Sequence, residues 1–282
     1  MRASLRYRVF IHLAALATSV VILAPFAWLL YSSFVGQTDL VSRPMRWLPE
    51  HVTLDRYREI FAGGGTGAGA AFRSAMVNSF LVAGGTVVIS LAVGVLGGYA
   101  LARLRFPLRR ATLLSFLVTY MLPPIALIIP LYLLMSRFGL LDTRTGLIVV
   151  YCSLATPFAL WNMSTFFGSL PVELEEAARV DGCSRLGALV RVMLPLSKPG
   201  ILATALYAFL LCWDEFLYSL IFTSTSQAKT VPVAIAEFTG RNAVDFGLIA
   251  AGGVLAALPP VVLAVVFQRY LIGGLASGAV KG

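Results

Sequence analysis

The chain has 282 residues, of which 59% are apolar and 12% charged, with a net charge of +9 and a mean hydropathy of +0.86. Ordinary soluble domains carry about 25% charged residues, so a water-soluble globule is excluded. Uncharged runs cover 9–38, 74–102, 111–136, 145–172 and 246–268, each longer than the ~20 residues that cross hydrocarbon. A further run, 199–228, is equally apolar but carries the adjacent acids Asp214 and Glu215. Backbone amides in lipid must be satisfied within their own segment, and these runs far exceed the ~10-residue strands of a barrel. The predicted fold class is therefore an all-α polytopic membrane protein with spans near 9–34, 79–102, 113–135, 146–168, 200–223 and 246–268.

With both ends on one face, 13 of the 22 lysines and arginines fall on that face and 9 on the other. This bias places both termini in the cytosol. The first apolar run, after Arg2, Arg6 and Arg8, is longer than the apolar region of a secretory signal, so it reads as a span. The external segment 35–76 comes next. In it Thr53 is positioned to cap a short helix running through Tyr57 to Phe61 and ended by Gly63, with Trp47 and Tyr57 at headgroup depth. This helix reads as a lid or a membrane-surface element. The Gly63–Gly69 stretch does not fit GxGxxG and reads as a connector.

The second span holds Gly84, Gly85, Gly94, Gly97 and Gly98, small residues that let helices approach closely where lipid provides no drive to associate. The third holds Pro123, Pro124 and Pro130, so its hydrogen-bond ladder must break or kink. Such a break either lines a solute path, with Tyr120 the polar group nearest to it, or is structural.

Between the fourth and fifth spans lies a cytosolic hairpin, 171–199. Pro171 and Glu173, Glu175 and Glu176 suit a helix start, and Gly182 suits its stop. A second helix beginning near Cys183 or Ser184 aligns Leu186, Leu189, Val190 and Met193 on one face, and Pro195 and Pro199 end it. That apolar face is suited to docking a partner, or to resting on the membrane or on the chain's own bundle.

The three cysteines, Cys152, Cys183 and Cys212, form no CxxC pair, and His12 and His51 make no metal-ligand spacing with them, so no metal site is expected. The lysines Lys198, Lys229 and Lys281 follow Ser197, Ala228 and Val280, so no Walker A motif is present, nor is a GxSxG elbow or an HExxH pair. No catalytic residue is expected.

The hairpin residues Glu176-Ala177-Ala178, Asp181-Gly182 and, nine residues on, Val192-Met193-Leu194-Pro195 resemble the EAA signature of inner-membrane permeases of bacterial ABC importers. Val192 stands for the usual isoleucine. The stretch Asn78 to Phe106, the stretch from Met121, Pro157 to Trp161 and the pair Asp214-Glu215 are similar to the carbohydrate-uptake branch, as is the tail from Gly274. Within it the chain resembles the second permease of maltose-type systems. The resemblance implies the type I ABC importer permease fold and a non-catalytic subunit. It also implies a heterodimer with a sister permease, two cytosolic ATPase subunits that bind ATP and Mg, and an extracytoplasmic substrate-binding protein. The cargo implied is a sugar or a related polyol or glycerophosphate compound. Residues implied to couple to the ATPase are Glu175, Glu176, Ala177, Ala178, Asp181, Gly182, Leu186, Leu189, Val190, Leu194 and Pro195, with Gly278, Val280 and Lys281 of the tail at the same interface.

Asp214 and Glu215 fall about 22 Å up a fifth-span helix. An unpaired charge at such depth costs ~2.5 to 3.5 kcal/mol or more. Together with Tyr120 and Pro123 they are candidates for the translocation path, by contact with the solute or as a gate. Alternatively they clamp helices or pair with backbone. A different function, a proton-coupled secondary transporter using Asp214 or Glu215, needs no EAA hairpin.

Overall fold

The computed structural model of the chain describes residues 5–43, 49, 51–62, 67–239 and 244–279, the segment 269–279 as backbone only. Trp47, Gly63, Val280 and Lys281 lie outside the described residues. The described residues are helical, with isolated backbone bridges only at Val35/Val52 and Thr239/Val244. In order they form α1 (Leu5–Phe34), α2 (Gln37–Leu40), α3 (Asp55–Phe61), α4 (Ala68–Arg103), α5 (Arg109–Met121), α6 (Pro124–Arg137) and α7 (Arg144–Ser169). The remainder are α8 (Val172–Val180), α9 (Arg185–Ala188), a π turn (Leu189–Met193), α10 (Leu194–Leu196), α11 (Lys198–Trp213), α12 (Leu217–Phe222), α13 (Val231–Ala236) and α14 (Phe246–Ala279).

Among the described residues, four helical segments are long and apolar enough to cross a bilayer: Arg6–Phe34, Ala68–Arg103, Arg144–Ser169 and Phe246–Gln268. Two bent pairs bring the candidate crossings to six, α5 with α6 at 97° and Arg185–Leu196 with Lys198–Trp213 at 77°. The first bend falls at Pro123, where consecutive prolines withdraw amide donors from the ladder. The Pro124 carbonyl at this break accepts a hydrogen bond from the Tyr218 hydroxyl at 3.1 Å, so it is not left bare in an apolar setting.

The chain divides into two compact units, Met1–Arg73 with Ala234–Leu258, and Ser74–Val233 with Pro259–Gly282. In the first, α3 packs along one face and leaves Asp55, Arg58, Glu59 and Phe61 exposed on the rest. Ile60 is buried, and the Arg56 guanidinium, 8% exposed, donates to the Val35 carbonyl and pairs with Asp245 at 3.1 Å. Tyr57 donates to Ser33 at 2.8 Å. Thr53 does not cap α3, whose N-cap is Leu54; its hydroxyl accepts the Asp55 amide instead, a local turn that precedes the helix.

The second unit is built on α4 against α7. A Cβ on Gly94 or Gly98 would come within 2.9 Å or 2.8 Å of α7 backbone, at Ala159 and Ser164 respectively. The glycines therefore set how closely these helices approach. Ser90 and Thr156 share a hydroxyl contact of 3.1 Å across the same seam, and Asn162 on α7 donates to Thr204 on α11 at 2.7 Å. One apolar cluster gathers Val82, Leu147, Tyr151, Cys212, Tyr218 and Phe222; a second, at the hairpin end, gathers Tyr99, Met163, Phe167, Leu189 and Met193.

Candidate functional site

The hairpin is shaped by three local devices. α8 opens after Pro171 with Glu173 and Glu175 in its first turn, where the helix dipole favours negative charge. It closes at Gly182, whose φ of +87° is accessible to glycine without a Cβ clash, while the amides of Gly182 and Cys183 return to the carbonyls of Arg179 and Ala178. Ser184 then caps α9 by accepting the Gly187 amide at 3.1 Å.

A single apolar face over the second helix does not form as the 3.6-residue spacing predicts. Over Leu189–Met193 the helix widens to a π turn, whose larger number of residues per turn departs from the 3.6 spacing. Leu189 and Met193 point into the bundle against Tyr99, Met163 and Phe167, whereas Leu186 and Val190 are 62% and 53% exposed. Leu189 is thus a core residue of this chain. Glu175 and Ala178 are buried as well. The exposed residues of the expected coupling set are Glu176, Ala177, Asp181, Gly182, Leu186, Val190 and Pro195, with Leu194 half-buried.

Glu175 is the hairpin's anchor. Its Oε1 accepts the Tyr99 hydroxyl at 2.7 Å, and its Oε2 lies 3.7 Å from Arg103 Nε, an ion pair between side chains 10% and 6% exposed. Arg103 also donates to the Leu170 carbonyl at 2.7 Å, at the C-terminus of α7. Tyr99 and Arg103 stand four residues apart at the end of α4, so one helix face presents both to the hairpin base. Sequence reasoning passed over them as positioning residues, although a tyrosine and an arginine one turn apart at a span's end are the available signal.

At the other end of this unit, the fifth span departs from a continuous helix. α11 ends at Trp213 with Asp214 as its C-cap, and α12 begins at Leu217. Both oxygens of Glu215 are used by the start of α12, Oε1 accepting the Tyr218 amide at 2.8 Å and Oε2 the Ser219 amide at 3.1 Å. The carboxylate supplies acceptors that free amides at a helix start require. Asp214 is exposed and makes no side-chain hydrogen bond among the described residues. The two acids, adjacent in sequence, are therefore in different environments.

Tyr120, beside the Pro123 break, shares a 2.9 Å hydroxyl contact with Tyr207 of α11. Phe158 of α7 packs against Tyr207 with ring centroids 3.9 Å apart and planes tilted by 32°, and meets Trp161 edge-on at 6.2 Å. Tyr120, Trp161 and Tyr207 are each 40–42% exposed, so α5, α7 and α11 together present an aromatic face carrying two hydroxyls. Pro123 is exposed at its edge.

Residues 94–276 match the family of binding-protein-dependent transport system inner membrane components. The chain belongs to this family. The permease is 39% identical over 262 residues to the trehalose transport system permease protein SugB of Mycobacterium tuberculosis, covering 92% of this chain and 93% of that one. It is 31% identical to the trehalose/maltose transport system permease protein MalG of Thermococcus litoralis, covering 100% of both. Its fold is similar to a chain of the crystal structure of a bacterial ABC transporter that imports the acidic polysaccharide alginate, with a TM-score of 0.80, 22% identity and coverage of 96% and 99%. This permease is accordingly a multi-pass inner-membrane, non-catalytic subunit of an ATP-binding-cassette importer.

Proposed function

We propose that this permease is the second membrane subunit of a carbohydrate importer, working as a heterodimer with a sister permease above two cytosolic ATPases that bind ATP and Mg. An extracytoplasmic binding protein delivers the solute, and ATP-driven closure swings the helices between outward and inward openings. Both termini face the cytosol, consistent with the charge bias. The carbohydrate class is supported by the relatives' names, which specify trehalose, sulfoquinovosyl glycerol, trehalose/maltose and diacetylchitobiose.

The observation that carries the reading is the hairpin itself. Its tip, Glu176, Ala177 and Arg179 to Gly182 with Leu186 and Val190, stands exposed, while its base is fixed through Glu175, Tyr99 and Arg103. An apolar and charged tip on an anchored base suits insertion into a cleft of a moving partner. The tail residues Gly278, Val280 and Lys281 complete that interface in this proposal. The solute path runs along the face of Tyr120, Tyr207, Phe158 and Trp161, where flat apolar rings meet sugar C–H faces and the hydroxyls meet sugar hydroxyls, with Pro123 and Asp214 on the same route. Glu215 holds the helix start beside it.

The deciding experiment places Asp181→Cys in a chain with its native cysteines replaced and crosslinks it in native membranes with all cognate subunits expressed. Trapping of the ATPase, together with intact complexes of Gly182→Leu that hydrolyse ATP without uptake, is the expected result. Crosslinking that never reaches the ATPase, or uptake at wild-type rate by Gly182→Leu, would overturn the coupling assignment.

A further inference from the structure

Where α4 ends, the chain forms a second polar site that the coupling role does not use. A cavity of about 350 Å³ opens between the hairpin base and the 104–109 turn, lined by Arg103, Arg105, Arg109, Arg179 and Arg185 against Glu175 and Glu176. Five guanidinium groups against two carboxylates leave the lining strongly positive. Among the described residues, none of Arg105, Arg109, Arg179 and Arg185 forms an ion pair; the one pair in the cavity is Arg103 with Glu175. That pair is incomplete. At 3.7 Å it is too long for a hydrogen bond, so the Arg103 Nε–H and the Glu175 Oε2 it faces, on side chains 6% and 10% exposed, both lack a partner. Unmatched buried polar atoms are costly, and the four further guanidinium groups of the lining outweigh the facing carboxylate and make the cavity receptive to an anion.

The surroundings narrow the chemistry. Guanidinium forks match the oxygens of a phosphate group in paired hydrogen bonds. The uncharged run of α4 ends at Ala102, one residue before Arg103, which puts the cavity at the depth where a bilayer's polar layer begins, whichever leaflet it faces. A narrower, mainly apolar cavity of about 220 Å³ adjoins it through Arg109 and is lined by Leu101 and Leu113 with Ser164 and Arg110. Basic pockets between membrane helices on such a boundary accommodate lipid headgroups.

We propose that this cavity is a binding site for a phosphate-type oxyanion, held by Arg103, Arg105, Arg109, Arg179 and Arg185, and bridging the end of α4 to the hairpin. The oxyanion is the headgroup of an anionic phospholipid or a soluble phosphate. Because the site joins α4 to α8, its occupancy stiffens the hairpin base.

The test uses the purified transporter with all cognate subunits, in detergent. One arm adds sodium phosphate against sodium chloride at matched ionic strength; the other dopes micelles with phosphatidylglycerol or with phosphatidylcholine. Thermal unfolding reports binding, and native mass spectrometry reports retained lipid. At least one probe is expected to raise the unfolding temperature, with the apparent affinity falling about tenfold or more in the doubly substituted Arg105→Gln/Arg109→Gln, both outside the hairpin. Both side chains are exposed, so the variant without probe should unfold as the parent does. A response to phosphatidylglycerol alone identifies a lipid source, and to phosphate alone a soluble one. No response to either, or an equal response in the variant, overturns the proposal. So does a response by the isolated permease that disappears in the assembled complex, which would assign the cavity to the ATPase contact.

Discussion

Glu175 satisfies a tyrosine hydroxyl and balances a buried guanidinium at once, so its removal leaves Arg103 as an uncompensated charge. Glu175→Ala should cost about 3–5 kcal/mol in unfolding of the solubilised complex, and Glu175→Gln less, since its amide oxygen still accepts from Tyr99. Tyr99→Phe should cost about 1–3 kcal/mol by orphaning the carboxylate oxygen. Asp142, with φ of 55°, shows a different residue-scale effect. Desolvation pushes its pKa up, but the Ser224 and Thr225 amides, the Thr225 hydroxyl and the Lys229 charge outweigh it and hold it below the usual carboxylate range. A lowered folded value means stabilisation present above the unfolded value of ~3.9 and lost as pH falls through the folded one. The hydrogen-exchange protection factors of the Ser224 and Thr225 amides, taken relative to the intrinsic rate at each pH, should therefore fall on acidification below that range. In Asp142→Asn this acid-side change should disappear.

At the scale of elements, the hairpin's second helix separates two kinds of leucine. Leu189→Ala should destabilise the fold by about 2–5 kcal/mol, read by thermal unfolding of the complex. Leu186→Ala should leave unfolding unchanged and weaken ATPase retention on purification. Equal behaviour of the two would contradict the burial difference. Along α4, Gly98→Ala should push the helix off Met163 and Ser164 and lower stability, while Gly84→Ala, with nothing near its Cβ, should be neutral. These contrasts define what was legible in the sequence. The apolar runs, the proline break and the Gly182 turn arise from local physics, and the structure has them. The π turn and the helix end at Trp213 do not, because each depends on what surrounds it. A Glu215 carboxylate can take over amides only where Tyr218 and Ser219 are folded back toward it. Tyr99 and Arg103 were visible as letters, but their partner Glu175 lies more than seventy residues away.

At the scale of the whole molecule, the competing mechanism of proton coupling is testable against the importer reading. A carrier acid must release and accept protons during turnover, yet Glu215 has both oxygens engaged by backbone amides. Asp214 remains as the exposed acid. Uptake by vesicles holding the complete transporter should be abolished by vanadate and unaffected by a protonophore when ATP is clamped; the reverse pattern would favour proton coupling. Asp214→Asn should leave ATP dependence intact, and any change in sugar range would mark direct solute contact. On the coupling role proposed for it, the hairpin's two attachments bear on how a stroke from below is shared. It continues covalently into α11 through a 77° elbow, and it is fastened sideways to α4 by Tyr99 and Arg103. An elbow alone would let torque dissipate as bending. With the lateral fastening in place, displacement of the tip drags two transmembrane rods in concert, so cutting the Tyr99 link should decouple fuel consumption from delivery without stopping either subunit from assembling.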